Sequence, residues 1–132
     1  MRNRPMSAVE ATLLFQHAAS QFDRALRALT ESRCTEGLRD AREALKFFIR
    51  SLSILMGQPL HGIENPHLLA AVAEPFIGNA VFRTVTEAYL AENVERDHCK
   101  ALRLYVEACR EVTEKIGNVD KYLDISKRMY RY

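Results

Sequence analysis

The sequence predicts an all-α fold, an up-and-down bundle of four long helices followed by a short C-terminal helix. Apolar residues recur at alternating intervals of four and three along most of the chain, which is the spacing of one face of a helix. No segment alternates apolar with polar residues between turn signals, so no strand is predicted. Serine, asparagine, proline and glycine stand where the apolar series start and stop, as expected at helix ends.

The first helix is predicted from Ser7 to about Glu31. Ser7 and Glu10 have the spacing of a capping box, in which each side chain bonds a backbone N–H at the start of a helix. Residues 1–6 are predicted to be a disordered tail, and residues 7–132 a single domain, because 132 residues is the size of one domain. The core stripe of this helix is Ala11, Phe15, Ala18, Phe22, Ala25 and Leu29.

The second helix is predicted to begin near Thr35 and to end at Gly57, with Pro59 just beyond it. Because only a few residues join it to the first helix, the two must be antiparallel neighbours. Its core stripe is Leu38, Ala41, Leu45, Phe48, Leu52 and Leu55.

Asn65 and Pro66 form an N-cap and first-turn pair that predicts the start of the third helix. Pro75 lies inside its apolar series, and an interior proline costs about 3 kcal/mol, so the helix should kink or break near Glu74. The apolar face then continues to about Ala91.

The fourth helix is predicted to be capped by Asn93 and stopped by Gly117. A last short helix is predicted from Val119 to Tyr130. The core stripe of the fourth helix is His98, Leu102, Tyr105, Cys109, Val112 and Ile116.

Composition is that of an ordinary globular domain. Hydrophobic residues make up 48% of the chain, charged residues 27%, and the net charge is only +2. We find no apolar run long enough to cross a bilayer and no signal peptide near Met1, so we predict a cytoplasmic protein with no membrane partner. So small a net charge does not demand a nucleic-acid partner.

The three cysteines are an odd number and include no CxxC spacing, which argues against a disulfide framework or a zinc site. We therefore predict that Cys34, Cys99 and Cys109 are reduced thiols and that Cys109 fills the core. Cys34 follows Arg33 near a helix N-terminus, so a reactive thiol is the alternative, although an ordinary loop cysteine is favoured.

Two groups of residues could bind a metal. His61, Glu64 and His67 are spaced by three, and histidine with carboxylate suits zinc or iron if all three side chains converge. Glu95 and His98 repeat the E-x-x-H spacing of Glu64 and His67, which di-iron bundles use. Pro66 leaves the first group in a turn and a helix start, so a structural corner with no metal and no cofactor is favoured.

Basic residues form two rows at helical spacing, which could contact phosphates. Glu43 interrupts the first row and Glu107 follows the second, so a solvated charged face is favoured. The two rows consist of Arg39, Arg42, Lys46 and Arg50, and of Arg96, Lys100 and Arg103.

Apolar residues outside the core stripes exceed what one small core needs. Spare apolar rows mark a partner, and for a small helical protein the commonest partner is a second copy. The alternative is that the C-terminal helix covers two of them, Phe47 and Ile54, within one chain. The candidate interface residues are Phe47, Ile54, Phe82, Tyr89, Met129 and Tyr130.

The run LRALTESRCTEGLRDAREALKFFIRSLSILMGQP followed by NPHLLAAV resembles the helical hairpin of HEPN-type domains, in particular the small stand-alone prokaryotic members. The resemblance covers residues 18–116. It implies an up-down α bundle, homodimerisation and activity around nucleotides or RNA, in some members as ribonuclease toxins or as partners of nucleotidyltransferases. The nuclease motif of the family, an arginine and a histidine with four to six residues between them, is absent, so no catalytic residue is carried over.

We therefore expect a non-enzymatic helical association module, homodimeric, that binds a nucleotide or RNA through the basic rows. The alternative from another class is a small metal-dependent or RNA-cleaving enzyme that uses His61, Glu64, His67 or His98.

Overall fold

The computed structural model describes the backbone of residues 4–130 and the side chains of residues 8–119. The regular secondary structure of this part of the chain is entirely α-helical and includes no strand, which confirms the predicted all-α class. Among its helices, none is both long and apolar enough to span a bilayer. The helices are α1 (Arg4–Thr30), α2 (Cys34–Leu55), α3 (Pro66–Val72), α4 (Glu74–Ile77), α5 (Asn79–Asn93) and α6 (His98–Tyr130).

The first and last helices are both longer than predicted. α1 begins at Arg4 rather than at Ser7, so part of the predicted tail is helical, and residues 1–3 lie outside the described range. α6 continues through Gly117 to Tyr130, so the predicted stop at Gly117 is wrong, and residues 119–130 belong to α6 rather than to a separate helix. A glycine inside a helix costs only about 1 kcal/mol, and Gly117 is not among the glycines that adopt positive φ.

The predicted third helix is divided into three short ones. Pro75 occupies the first turn of α4, where its missing N–H costs no helical hydrogen bond, and α3 ends at Val72 before it. The break at the proline is therefore confirmed. Gly78, with φ 89°, makes a second break before α5 that the sequence analysis missed.

Asp97 caps α6, and the predicted cap at Asn93 is wrong. The Oδ1 atom of Asp97 accepts a hydrogen bond from the backbone N–H of Lys100 at 3.1 Å. Asn93 is instead the last residue of α5, where its side chain donates to the carbonyl of Tyr89 at 2.9 Å. A left-handed residue, Arg96 with φ 59°, tightens the turn between the two helices.

Contacts at both ends show that α1 and α2 are antiparallel. The Ser51 hydroxyl near the end of α2 donates to the carbonyl of Ala11 near the start of α1 at 2.8 Å, and at the opposite end Gly37 of α2 lies against Ala28 of α1. The predicted hairpin is therefore confirmed.

The helices α2 and α6 are parallel and in direct contact. Cys34 contacts Cys99 at their first turns, and farther along the Cys109 thiol lies 3.8 Å from the carbonyl oxygen of Ala41. α1 packs on α2, and α5 packs on α6, so α2 and α6 form the centre of the molecule.

Gly37 allows three helices to approach closely. A Cβ atom on Gly37 of α2 would lie 2.8 Å from the Cβ of Ala28 in α1 and 2.8 Å from a methyl of Leu102 in α6. Both distances are well below van der Waals contact. The absence of a side chain at Gly37 is therefore a packing requirement rather than a requirement for an unusual backbone conformation.

Gly37→Ala should destabilise the fold, although alanine favours helix by about 1 kcal/mol over glycine. The added methyl has to displace Ala28, whose Cβ moves only with its helix, and overpacking of this kind costs roughly 1–3 kcal/mol. Gly117→Ala is the matched control, because a Cβ there would meet nothing within 4 Å, and it should stabilise the protein. Urea denaturation of both variants measures the difference, and a stabilising Gly37→Ala would contradict the described packing.

Candidate functional site

The link between α2 and α3, GQPLHGIEN, is a structural corner built from turn residues. Gly57 and Gly62 both have positive φ, which glycine adopts without strain. Asn65 caps α3 as predicted, because its Oδ1 atom accepts hydrogen bonds from the N–H groups of His67 at 2.8 Å and Leu68 at 3.1 Å.

Glu64 attaches this link to α2. Its carboxylate accepts hydrogen bonds from Lys46 Nζ at 2.8 Å and from Arg50 Nη2 at 3.0 Å. Lys46, whose side chain is 6% exposed, also pairs with Glu43 at 2.7 Å. The two cations lower the pKa of Glu64. Burial lowers the pKa of Lys46, but its two carboxylate partners raise that pKa by more, so it lies above the ordinary lysine value.

The three residues proposed as metal ligands do not converge. His61 is exposed, and Glu64 is occupied by Lys46 and Arg50. The His67 ring stacks on the ring of Tyr89 with centroids 4.6 Å apart. Among the side chains of residues 8–119, no three His, Cys, Asp or Glu are placed together to hold a metal ion.

His67 instead helps to fix α3 on α5. Phe82, which like Tyr89 belongs to α5, stacks parallel to the imidazole ring of His67 with ring centroids 5.8 Å apart. The Oγ1 atom of Thr86, also on α5, lies 3.1 Å from Nε2 of His67. Stacked aromatic pairs contribute about 0.5–1.5 kcal/mol beyond the area they bury. Two of the predicted interface residues, Phe82 and Tyr89, therefore contact their own chain and are only partly exposed.

The other predicted interface residues differ in their surroundings. Ile54 is 7% exposed and belongs to the core. Phe47 is partly exposed and meets the ring of His17 from α1 edge-on at 4.7 Å. The side chains of Met129 and Tyr130 lie outside the described residues.

Most of the predicted basic rows are engaged in ion pairs within the chain. Arg42 pairs with Glu92 of α5, which also accepts a hydrogen bond from the Tyr105 hydroxyl at 3.0 Å. Burial and the neighbouring Glu92 raise the pKa of Tyr105. Lys100 pairs with Glu95 at 2.8 Å.

Three members of the rows remain available at the surface. Arg39, Arg96 and Arg103 are exposed and make no ion pair with any described residue. The rows are therefore not a uniform solvated face, because Arg42, Lys46 and Arg50 form ion pairs with carboxylates of the same chain.

A cavity of about 210 Å³ lies between α1, the end of α2 and the link to α3. The Arg50 Nε atom is buried and has no hydrogen-bond partner among the described residues. Glu10, His61 and Glu64 also line the cavity, so its wall carries both signs of charge and favours neither an anion nor a cation.

Cys34 and Cys99 form a disulfide, with their Cα atoms 5.0 Å apart. The prediction of reduced thiols is therefore wrong for these two cysteines. It holds for Cys109, which is free and fully buried in the core, where burial raises its thiol pKa. The parallel contact of α2 and α6 brings together two cysteines that are 65 residues apart, a pairing that sequence spacing does not reveal.

Polar contacts surround the disulfide. Thr35 Oγ1 lies 2.7 Å from His98 Nδ1, which joins the same two helix starts. Arg33, the residue before Cys34, pairs with Glu31 at 2.7 Å and with Glu36 at 2.6 Å.

Comparison of the chain with protein-family models, with curated proteins and with solved structures finds no match. The resemblance to HEPN-type domains therefore stays a prediction, carried by the hairpin residues that suggested it. The function has to be inferred from the geometry of the chain itself.

Glu64→Gln should destabilise the fold at neutral pH and have little effect in acid. The pKa of Glu64 lies below the value of about 4.3 in an unfolded chain, so its ionised form stabilises the fold above that pH. This contribution is lost as the pH falls through the lowered pKa. Thermal unfolding at pH 7 and below pH 3 measures it, with Glu107→Gln, an exposed glutamate of α6, as the control. An undiminished difference in acid would show that packing rather than charge is responsible.

Reduction of the Cys34–Cys99 disulfide should lower the free energy of unfolding by on the order of 4 kcal/mol, because the bond closes a loop with a separation of 65 residues. Urea denaturation with and without reductant measures this loss. The double variant Cys34→Ser/Cys99→Ser should not respond to reductant. Equal stability of the oxidised and reduced wild-type protein would contradict the expectation.

Proposed function

We propose that the protein is a non-enzymatic association module that acts as a homodimer. One observation carries this proposal: large apolar side chains, spaced four residues apart, are exposed on three different helices. Residues at this spacing share one face of a helix, so each pair forms a short apolar strip. The pairs are Val9 and Leu13 of α1, Leu68 and Val72 of α3, and Leu90 of α5 with its C-cap residue Val94, all of which are 42–69% exposed.

The strip on α1 is the surface that best suits a second copy. α1 lies at the side of the molecule and buries Ala11, Ala18 and Ala25 against its neighbours. Val9 and Leu13 are 56% and 60% exposed on the opposite face. Two copies of α1 that pack along this face would remove both strips from water.

Charge does not oppose this association. The chain has 19 basic and 17 acidic residues, so two copies with a net charge of +2 repel each other only weakly. The resemblance of the hairpin to HEPN-type domains also implies a homodimer, which supports the proposal.

Nucleotide or RNA binding stays a prediction. Arg39, Arg96 and Arg103 provide the exposed charge that phosphate contacts would need. The remaining four members of the basic rows already pair with carboxylates of the same chain.

The enzymatic alternative has less support from the geometry. Of its four residues, Glu64 is paired with Lys46 and Arg50, and His98 lies against Thr35. A general acid or base has to face a substrate, and these two side chains face their own chain.

Val9→Lys/Leu13→Lys should convert a dimer into the 15.1 kDa monomer in sedimentation at micromolar concentration, because charge on the strip opposes its burial. The unfolding temperature of the monomer should change little, since both side chains are more than half exposed. Glu107→Gln/Glu114→Gln changes two exposed residues of α6, raises the net charge by the same two units, and should leave the dimer intact. A monomeric wild-type protein, or a dimer that survives the first variant, would disprove association through α1.

A further inference from the structure

The N-termini of two parallel helices meet at the Cys34–Cys99 disulfide. Cys34 is the first residue of α2, and Cys99 is the second residue of α6. The first-turn N–H groups of a helix carry partial positive charge, and this charge stabilises a nearby thiolate. Reduction of the bond would therefore generate sulfur anions where two helix ends can stabilise them.

The two helix ends differ in how their N–H groups are satisfied. α2 has no side-chain cap, because its N-cap residue is Arg33 and no side chain accepts from its first turn. α6 is capped by Asp97, whose carboxylate accepts from the Lys100 N–H at 3.1 Å. At the start of α2 no side-chain cap competes with a thiolate of Cys34 for the first-turn N–H groups. At the start of α6 the Asp97 carboxylate already accepts from one of these groups.

Other charged groups near the bond do not remove this difference. Arg33 next to Cys34 is shared by Glu31 and Glu36, which offset part of its charge. Lys100 next to Cys99 is paired with Glu95. The asymmetry therefore depends chiefly on the uncapped start of α2 and on Asp97 at the start of α6.

The two cysteines also differ in exposure. Cys34 is 6% exposed, whereas Cys99 is only partly buried at the edge of the core. A thiolate from solution reaches the more accessible sulfur more easily, and exchange is faster when the departing thiol has the lower pKa. Access therefore favours attack at Cys99, and the uncapped start of α2 favours departure of Cys34 as a thiolate against the opposing effect of its burial.

We propose that Cys34–Cys99 is a thiol–disulfide exchange site at which an external thiolate attacks Cys99 and Cys34 departs as the stabilised thiolate. The first step breaks the Cys34–Cys99 bond and forms a mixed disulfide between Cys99 and the external thiol. A second thiolate then attacks the external sulfur and releases Cys99. Two thiols are oxidised to one disulfide, and the protein takes up two electrons and two protons. The reactants are thiols in general, whether small molecules or exposed cysteines of a protein.

Mapping of the mixed disulfide tests the order of the steps in the wild-type protein. The folded protein is mixed with glutathione, quenched with acid after short times, digested with pepsin and analysed by mass spectrometry. We expect the glutathione adduct on Cys99 to exceed that on Cys34 by at least about tenfold, and Cys109 to remain unmodified. An adduct shared equally, an adduct mainly on Cys34, or no reaction at millimolar glutathione would overturn the proposal.

Alkylation of single-cysteine variants provides a second test. Cys99→Ser/Cys109→Ala leaves only Cys34, and Cys34→Ser/Cys109→Ala leaves only Cys99, with folding of each checked by circular dichroism. The rate of iodoacetamide alkylation should rise to its plateau at a lower pH for Cys34 than for Cys99. Asp97→Asn retains a cap but removes its charge, so in the Cys99 variant it should move the alkylation profile to lower pH. Indistinguishable profiles for the two cysteines would remove the basis for Cys34 as the leaving group.

Discussion

The direct contact between the parallel helices α2 and α6 is the constraint on which the packing of the other helices depends. Consecutive long helices normally lie side by side and antiparallel, but these two are separated along the chain by α3, α4 and α5. Gly37 and Ala41 have small or absent side chains, which allows α6 to approach the backbone of α2 closely. Because α2 and α6 occupy the centre, α1 and α5 pack on opposite members of this pair.

Ion pairs from α2 fix the positions of α5 and of the link to α3 relative to α2. Arg42 reaches Glu92 of α5, and Lys46 reaches Glu64 in the link, so each pair joins α2 to a different later segment. A buried charge without its partner is strongly unfavourable, so such pairs favour one placement of these segments over shifted ones. The Tyr105 hydroxyl completes the first pair by donating to Glu92. Arg42 and Lys46, which resemble part of a phosphate-binding row in the sequence, therefore form ion pairs that connect segments of the same chain.

The sequence predicts a helix and its buried face well where apolar residues repeat at helical spacing. It predicts poorly the features that depend on one or two residues, such as a helix cap or a disulfide. The stripe from Leu38 to Leu52 is buried as expected, because burial depends on the sum of many side chains. The cap of α6 depends on Asp97 alone, and Asn93 is an equally suitable capping residue. The Cys34–Cys99 bond depends on which helices become neighbours, and that is a tertiary property with no local signal.

Different interactions hold the two ends of α2, and the proposed exchange site and the proposed dimer surface lie at opposite ends of this helix. At its start, the disulfide and the contact between Thr35 and His98 join α2 to α6. At its other end, Ser51 bonds Ala11 of α1, and charged side chains hold the link to α3. Since Val9 and Leu13 flank Ala11, the proposed dimer surface lies at the end of the molecule remote from the disulfide. Reduction of the bond thus loosens the start of α2 and α6 without touching the residues that would join two copies.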